Sequence, residues 1–224
     1  MKLTKIRLTN FKSFDELDIN LQNFNLIIGA NASGKSNFIR IFEFLRDTAR
    51  YGLENSISMQ GGISYLRNVN IGASKDFSLE ATFDYFDSTP FKIKRGDYIG
   101  LKTNQAVYKF TIKFNKKGQG YKIIDDRLII KYDLFKLEWE KGRRVLKDKE
   151  LLGKDELVVA RPKGKVSYTT TSDKFKDISN KHFLPRVPQK EKVKDKALLL
   201  ESSFYRVPFD VIELRNMFTC SIYD

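Results

Sequence analysis

"LIIGANASGKSNF", residues 26–38, is the stretch that decides the fold. Residues 24–28, FNLII, are nearly all apolar, as in a central strand buried on both faces. Gly29 to Ser36 then match G-x-x-x-x-G-K-[ST] at every position. Each position has a physical task. Gly29 lets the chain leave the strand sharply, and Gly34 lets main chain approach a phosphate closely. The N–H groups from about Asn31 to Ser36, through Ala32 and Ser33, are expected to point inward as donors. The N-terminus of the following helix adds positive potential. Lys35 is placed to reach the β- and γ-phosphates, and the Ser36 hydroxyl to ligate Mg²⁺.

Past Lys35 the period changes. Phe38, Ile39, Ile41, Phe42 and Leu45 recur at helical spacing, with Arg40, Glu43, Arg46 and Asp47 between them. The pattern predicts a helix of about four turns ending near Tyr51-Gly52, where glycine suits the C-terminal cap. Upstream, Leu3, Ile6 and Leu8 alternate with polar residues, 10–14 reads as a turn, and Leu17, Ile19 and Leu21 share one face. Two edge-type strands therefore precede the buried one. Downstream, 53–76 reads as loop, and 77–86, 106–114 and 121–138 alternate like hairpins. Residues 142–196 read as polar loops with a strand near 166–170. Pro185 and Pro188 break any helix there, and 189–205 reads as helical. The class is α/β, a P-loop strand and helix joined to an antiparallel sheet.

The formal charge is +13, and its location is informative. Residues 101–200 hold 26 Lys and Arg against 13 Asp and Glu, while the rest balances at 15 against 15. Such a field favours a polyanionic partner, DNA above all. The competing reading is a solvated lysine-rich surface, because the lysines are spread out rather than massed in one run. One cysteine, Cys220, and one histidine, His182, leave no internal disulfide, no zinc site and no Cys-His pair. No apolar run approaches a membrane span, and the N-terminus has no secretory h-region. A cytoplasmic location without a membrane partner is expected.

P-loop proteins differ in what surrounds the loop. A small GTPase needs an N-K-x-D base reader, and the nearest string, Asn180-Lys181-His182-Phe183, lacks the Asp. A small-molecule kinase usually begins with the P-loop strand, whereas two alternating strands come first here. "KIRLTNFKSF" at 5–14, "NLIIGANASGKSN" at 25–37 and "FEFLRD" after it resemble the SMC/RecF-like branch of ABC-type ATPases. The single-chain RecF-like AAA family ATPases are the nearest in kind, with "GLENSISMQGG" at 52–62. The likeness covers residues 1 to about 85, fades over 90–200 and returns at "RNMFTCSIYD".

The resemblance implies ATP with Mg²⁺, with Lys12 and Ser13 beside the nucleotide and Asn31 to Asn37 on its phosphates. It also implies a Q-loop glutamine that helps hold the metal, for which Gln60 is a candidate by position. The family completes its site with four apolar residues followed by Asp-Glu, and no such run is present. "ALLLES" at 197–202 has Glu201 but no preceding Asp, and reads as a helix core face. "YKIIDD" at 121–126 has too short a run, and the signature L-S-G-G-Q is absent. No catalytic residue is therefore assigned within this chain.

The expected organisation is a P-loop lobe at 1–90, an antiparallel extension at 91–140, a basic insertion at 141–200 and a return to the core at 201–224. A second lobe is expected beyond residue 224 or on another chain. Two completed heads would sandwich two ATP molecules as a homodimer, in DNA repair, chromosome maintenance or phage defence. The alternatives are a self-contained P-loop kinase or GTPase, and a non-catalytic interaction module.

Overall fold

The computed structural model describes residues 2–94, 97–115, 120–139, 146–161, 166–170 and 198–201. The elements are β1 (Lys2–Phe11), β2 (Phe14–Asn20), α1 (Lys35–Tyr51), α2 (Leu53–Met59), α3 (Ile63–Leu66), β3 (Phe77–Lys94), β4 (Asp97–Phe114), β5 (Tyr121–Trp139), β6 (Leu146–Ala160) and β7 (Ser167–Thr170). A 3₁₀ turn follows at Leu199–Glu201. The strands form one antiparallel sheet in the order β2-β1-β3-β4-β5-β6-β7.

The alternation in the sequence becomes the two faces of this sheet. Ile6, Ala81, Tyr108, Leu128 and Val159 lie in register across five strands, and all are buried. Leu8, Leu79 and Phe110 form the next row. The helix α1 lies on this face. Its Phe44 ring sits 6.0 Å from that of Phe11, 5.7 Å from Phe77 and 6.5 Å from Phe110. These tilted and edge-on contacts fix the P-loop helix to the strands. The opposite face is polar. It carries the Arg7 ion pairs to Asp18 and Glu80 and the Arg127–Asp125 pair.

A polar node ties the far end of the described chain to both layers. Asp126 on β5 accepts from Leu199 N–H at 2.7 Å and from the Tyr108 hydroxyl at 3.1 Å, and Arg161 Nε lies 3.3 Å away. Burial pushes the Asp126 carboxyl up to about 7, against the opposing pull of the Leu199 amide, Arg161 and Tyr108. Glu201 Oε1 accepts from Leu198 N–H at 2.8 Å and from Leu53 N–H at 3.0 Å, so it caps the start of α2.

Several expectations are corrected. The run 24–28 is not a buried strand: it pairs with no strand among the described residues, and Phe24, Leu26 and Ile28 are 81%, 72% and 82% exposed. A strand apolar on both faces needs a neighbour on each side, and the described sheet offers none. Residues 121–138 form one long strand, not a hairpin. Residues 53–76 contain two short helices, and β6 extends the sheet through residues expected to be loop. The leucines of "ALLLES" are buried as expected, with Leu199–Glu201 in a 3₁₀ turn; the rest of the helix read at 189–205 lies outside the described residues. His182, Cys220, Pro185, Pro188, the Asn180 string and "RNMFTCSIYD" lie outside the described residues.

Candidate nucleotide-binding site

The P-loop is an exposed turn between an unpaired segment and a well-anchored helix. Gly34 ends it at φ 95°, and Phe38 N–H closes the first helical bond to Gly34 O at 2.9 Å. Ala32 also takes a positive φ, 64°. A Cβ at Gly34 would stand 3.1 Å from Ser13 Oγ, and one at Gly29 only 2.8 Å from Ser33 Oγ. The close approach at Gly29 is to the end of a serine side chain that can turn away, so it is Gly34, by its backbone angle, that the turn requires as glycine.

Lys35 Nζ donates to Gly29 O at 2.7 Å and to Ala30 O at 2.6 Å. Its ammonium thus closes the turn on itself, and no carboxylate among the described residues pairs with it. Ser33 N–H bonds back to Ala30 O at 3.3 Å. Among the described residues, the N–H groups of Asn31, Ala32, Gly34, Lys35, Ser36 and Asn37 donate to no protein acceptor. A run of free amides at a helix start, beside an ammonium, is a donor set suited to phosphate. ATP fits these residues. Mg²⁺ would be held by the exposed Ser36 hydroxyl together with phosphate oxygens, and when bound it neutralises phosphate charge. No cluster of three or more His, Cys, Asp or Glu that could hold a metal occurs among the described residues.

The β1–β2 turn is brought against this loop. Asn37 Nδ2 donates to Ser13 Oγ at 3.0 Å, so the side chains of two predicted site residues meet. Lys12, at φ 49°, is half-buried. Its N–H bonds Leu66 O at 2.9 Å and its ammonium bonds Tyr65 O at 3.2 Å. Burial lowers its pKa, nearby Arg40 lowers it further, and Glu43 raises it. Gln60 lies just past α2, where its N–H bonds Ser56 O at 3.1 Å. No described hydrogen bond joins its side chain to Ser36.

Sequence reasoning missed Asn10. It is fully buried at φ 54°, a conformation that asparagine tolerates better than most residues. Its amide donates to Gly72 O at 3.0 Å and Lys75 O at 2.6 Å, and its carbonyl accepts from Asn68 N–H at 2.9 Å. Asn10 and Lys12 together hold the 65–75 segment against the turn that carries Ser13. The signal was the pattern "TNFKSF", two polar residues flanking a buried Phe11. Glu201 and the acids of "YKIIDD" are structural here: Glu201 caps α2, Asp125 pairs with Arg127, and Asp126 is buried in the node.

The AAA ATPase domain family model matches residues 1–210. This chain belongs to that family. Endonuclease GajA of Bacillus cereus (strain VD045) is 45% identical over 47 residues, 21% of this chain and 8% of that protein. The match thus covers a small part of its relative's length. Membership makes the chain an ATPase-family domain of the P-loop class, in accord with the SMC/RecF-like resemblance. No helix among the described residues is long and apolar enough to cross a membrane.

Proposed function

We propose that this chain is the ATP-binding lobe of an SMC/RecF-like ATPase, completed by a second lobe that supplies the water-activating acid. The single observation that carries this reading is the pairing of an ordered phosphate turn with an exposed apolar run beside it. Leu26 and Ile28 lie open to solvent immediately before a loop whose amides are free. A nearby cavity of about 330 Å³ is walled by these residues, Phe14, Ile19 and Phe38. Exposed contiguous apolar surface of this kind marks an interface. Strands from the second lobe would take up both edges of 24–28 and carry the Asp-Glu pair to the γ-phosphate. ATP would then hold two completed heads together as a homodimer, and hydrolysis would release them.

The partner acted on is DNA. The net charge lies in residues 101–200, yet the described positions of that segment hold 11 Lys and Arg against eight Asp and Glu. Several of those cations are paired, as Lys131–Glu156 and Lys154–Asp133 are at 3.8 Å each. The unbalanced cations therefore lie mostly outside the described residues, and they would contact phosphates without reading sequence. The name of the matched relative, an endonuclease, supports a nucleic-acid role in repair, maintenance or defence. The deciding test is nucleotide binding beside turnover. The chain alone binds ATP with Mg²⁺ and turns over almost none, and adding the second lobe restores hydrolysis. Sustained turnover by the chain alone would favour a self-contained P-loop enzyme.

A further inference from the structure

The polar face of the sheet, opposite α1, carries a cluster of unpaired cations on the β4–β5 hairpin. Strand register places Lys109 across from Arg127, and Lys113 across from Lys122. Lys109 and Arg127 share a row with Glu80 and Arg7, which belongs to the polar face. Lys113, four residues along β4, stands on the same side. Like charges directly opposite one another destabilise a strand pair, so both pairs work against the hairpin. The acids nearby do not offset them. Asp125 is engaged by Arg127 at 2.7 Å, and Glu80 by Arg7 at 3.2 Å. Asp76, just before β3, forms no ion pair among the described residues. Lys109, Lys113 and Lys122 likewise form no ion pair or hydrogen bond among the described residues, and Lys113 and Lys122 are exposed.

On the β2 side the same face turns acidic. Glu16, Asp18 and Glu80 wall a cavity of about 420 Å³ with Arg7 and Lys109. The cationic surface is therefore confined to the hairpin, at the end of the sheet where Asn37 holds the β1–β2 turn. Charge complementarity makes its partner a polyanion. Between the cations on this face stand Thr111, Ile124 and Asp125, and no aromatic residue. The surface thus lacks the stacking platform that single strands use. Lys109 and Lys113 are about 13 Å apart along β4, a span of about four phosphates on one strand of a duplex. We infer that the outer face of the β4–β5 hairpin takes the phosphate backbone of duplex DNA on Lys109, Lys113 and Lys122, with Arg127 beside them. These contacts hold the duplex without reading its sequence. The inference rests on the proposed action on DNA and gives that partner a place on the described surface.

The test is fluorescence anisotropy of the full chain with a labelled duplex of random sequence, titrated between about 50 and 200 mM salt. Lys109→Gln, Lys113→Gln and Lys122→Gln combined should weaken duplex binding about 30-fold near 100 mM salt. The plot of log affinity against log salt should become shallower by about 3, and by about 1 for Lys113→Gln alone. Lys92→Gln with Lys136→Gln removes exposed lysines at the other end of the long strands and should leave both readings unchanged. A proportional loss in that control would show only a diffuse field and overturn the inference. Wild-type affinity and slope in the combined variant would overturn it while leaving DNA as the partner. A wild-type chain that binds no duplex at low salt would remove the DNA reading itself, and this surface with it. Tighter binding of the single strand than of the duplex would overturn the choice of duplex. The thermal melt of the combined variant should be unchanged or higher, because repulsion across the hairpin is relieved. A clear fall would assign these lysines to the fold instead.

Discussion

The segment before the phosphate loop and the node around Asp126 break the oil-drop rule in opposite directions. At 24–28, apolar side chains stand in solvent: Phe24 is 81% exposed and Ile28 82%. Around Asp126, a carboxylate and a guanidinium are buried, with side-chain exposures of 1% and 3%. The buried carboxylate is supplied with partners from β4, from Arg161 just past β6 and from the 3₁₀ turn, so the node belongs to the scaffold. The exposed apolar groups have none among the described residues, and the proposed function assigns them to an interface. Partnership, more than polarity, separates structure from function in this chain.

The largest expected effect tests the scaffold side. Asp126→Ala leaves the Arg161 charge, the Tyr108 hydroxyl and the Leu199 amide buried without their acceptor. It should cost about 3–5 kcal/mol in denaturant unfolding. A cost under about 1 kcal/mol would mean that the node is dispensable. The same residue gives stability a pH slope. Burial raises the folded carboxyl to about 7, above its unfolded value near 3.8. Between those values the folded state holds a proton that the unfolded state has lost. Stability therefore falls as pH rises through that window and levels off above it, by a few kcal/mol in all. Asp126→Asn should flatten this component; a slope unchanged in that variant would assign it to other groups.

The next effect tests the other side. Lys35→Ala should weaken ATP binding about 100-fold, the loss of a charge-assisted contact, while the unfolding midpoint stays within error. The ammonium bonds only carbonyls of its own exposed turn, so the core does not depend on it. A large drop in stability would move Lys35 from the interface class into the scaffold.

The comparison also explains what was legible in the sequence. The G-x-x-x-x-G-K-S spacing, the start of α1 at Lys35 and its end at Gly52 were all readable, because glycine geometry and helical period are local properties. The Ser13–Asn37 contact was readable only through family resemblance, since 24 positions separate the two residues. The node was not readable. Asp126, Arg161 and Leu199 are ordinary letters whose meaning comes from strand register, and a register shift between Thr111 and Ile112 lies beside Asp126. The apolar run 24–28 misled in the opposite way. Its letters describe the environment it would have between two further strands, and these are not among the described residues.

A smaller effect probes the joint between α1 and α2. Gly52 has φ 87°, and a Cβ there would meet Glu201 Oε2 at 2.6 Å. Gly52→Ala therefore combines backbone strain with displacement of the carboxylate that caps α2, and should cost about 1–2 kcal/mol. Glu201→Gln keeps an acceptor for the Leu53 N–H and should cost less. If both variants unfold like wild type, the 198–201 turn does not hold the helical layer.

The smallest expected change in stability is the most informative for function. Leu26→Ser and Ile28→Ser remove apolar surface that the folded chain already leaves in water. Each should shift unfolding by no more than about 0.5 kcal/mol, against the 2–5 kcal/mol usual for a buried leucine truncated to a small residue. The same substitutions should reduce self-association of the isolated chain, followed by light scattering, because an unpaired apolar run beside open main chain invites strand addition. In the presence of the second lobe their effect should invert. Assembly and ATP turnover should fall sharply, because serines on one face of a central strand would be buried without partners. A loss above about 2 kcal/mol in the chain alone would show that 24–28 is packed in solution, and the distinction between partnered scaffold and unpartnered interface would fail where it matters most.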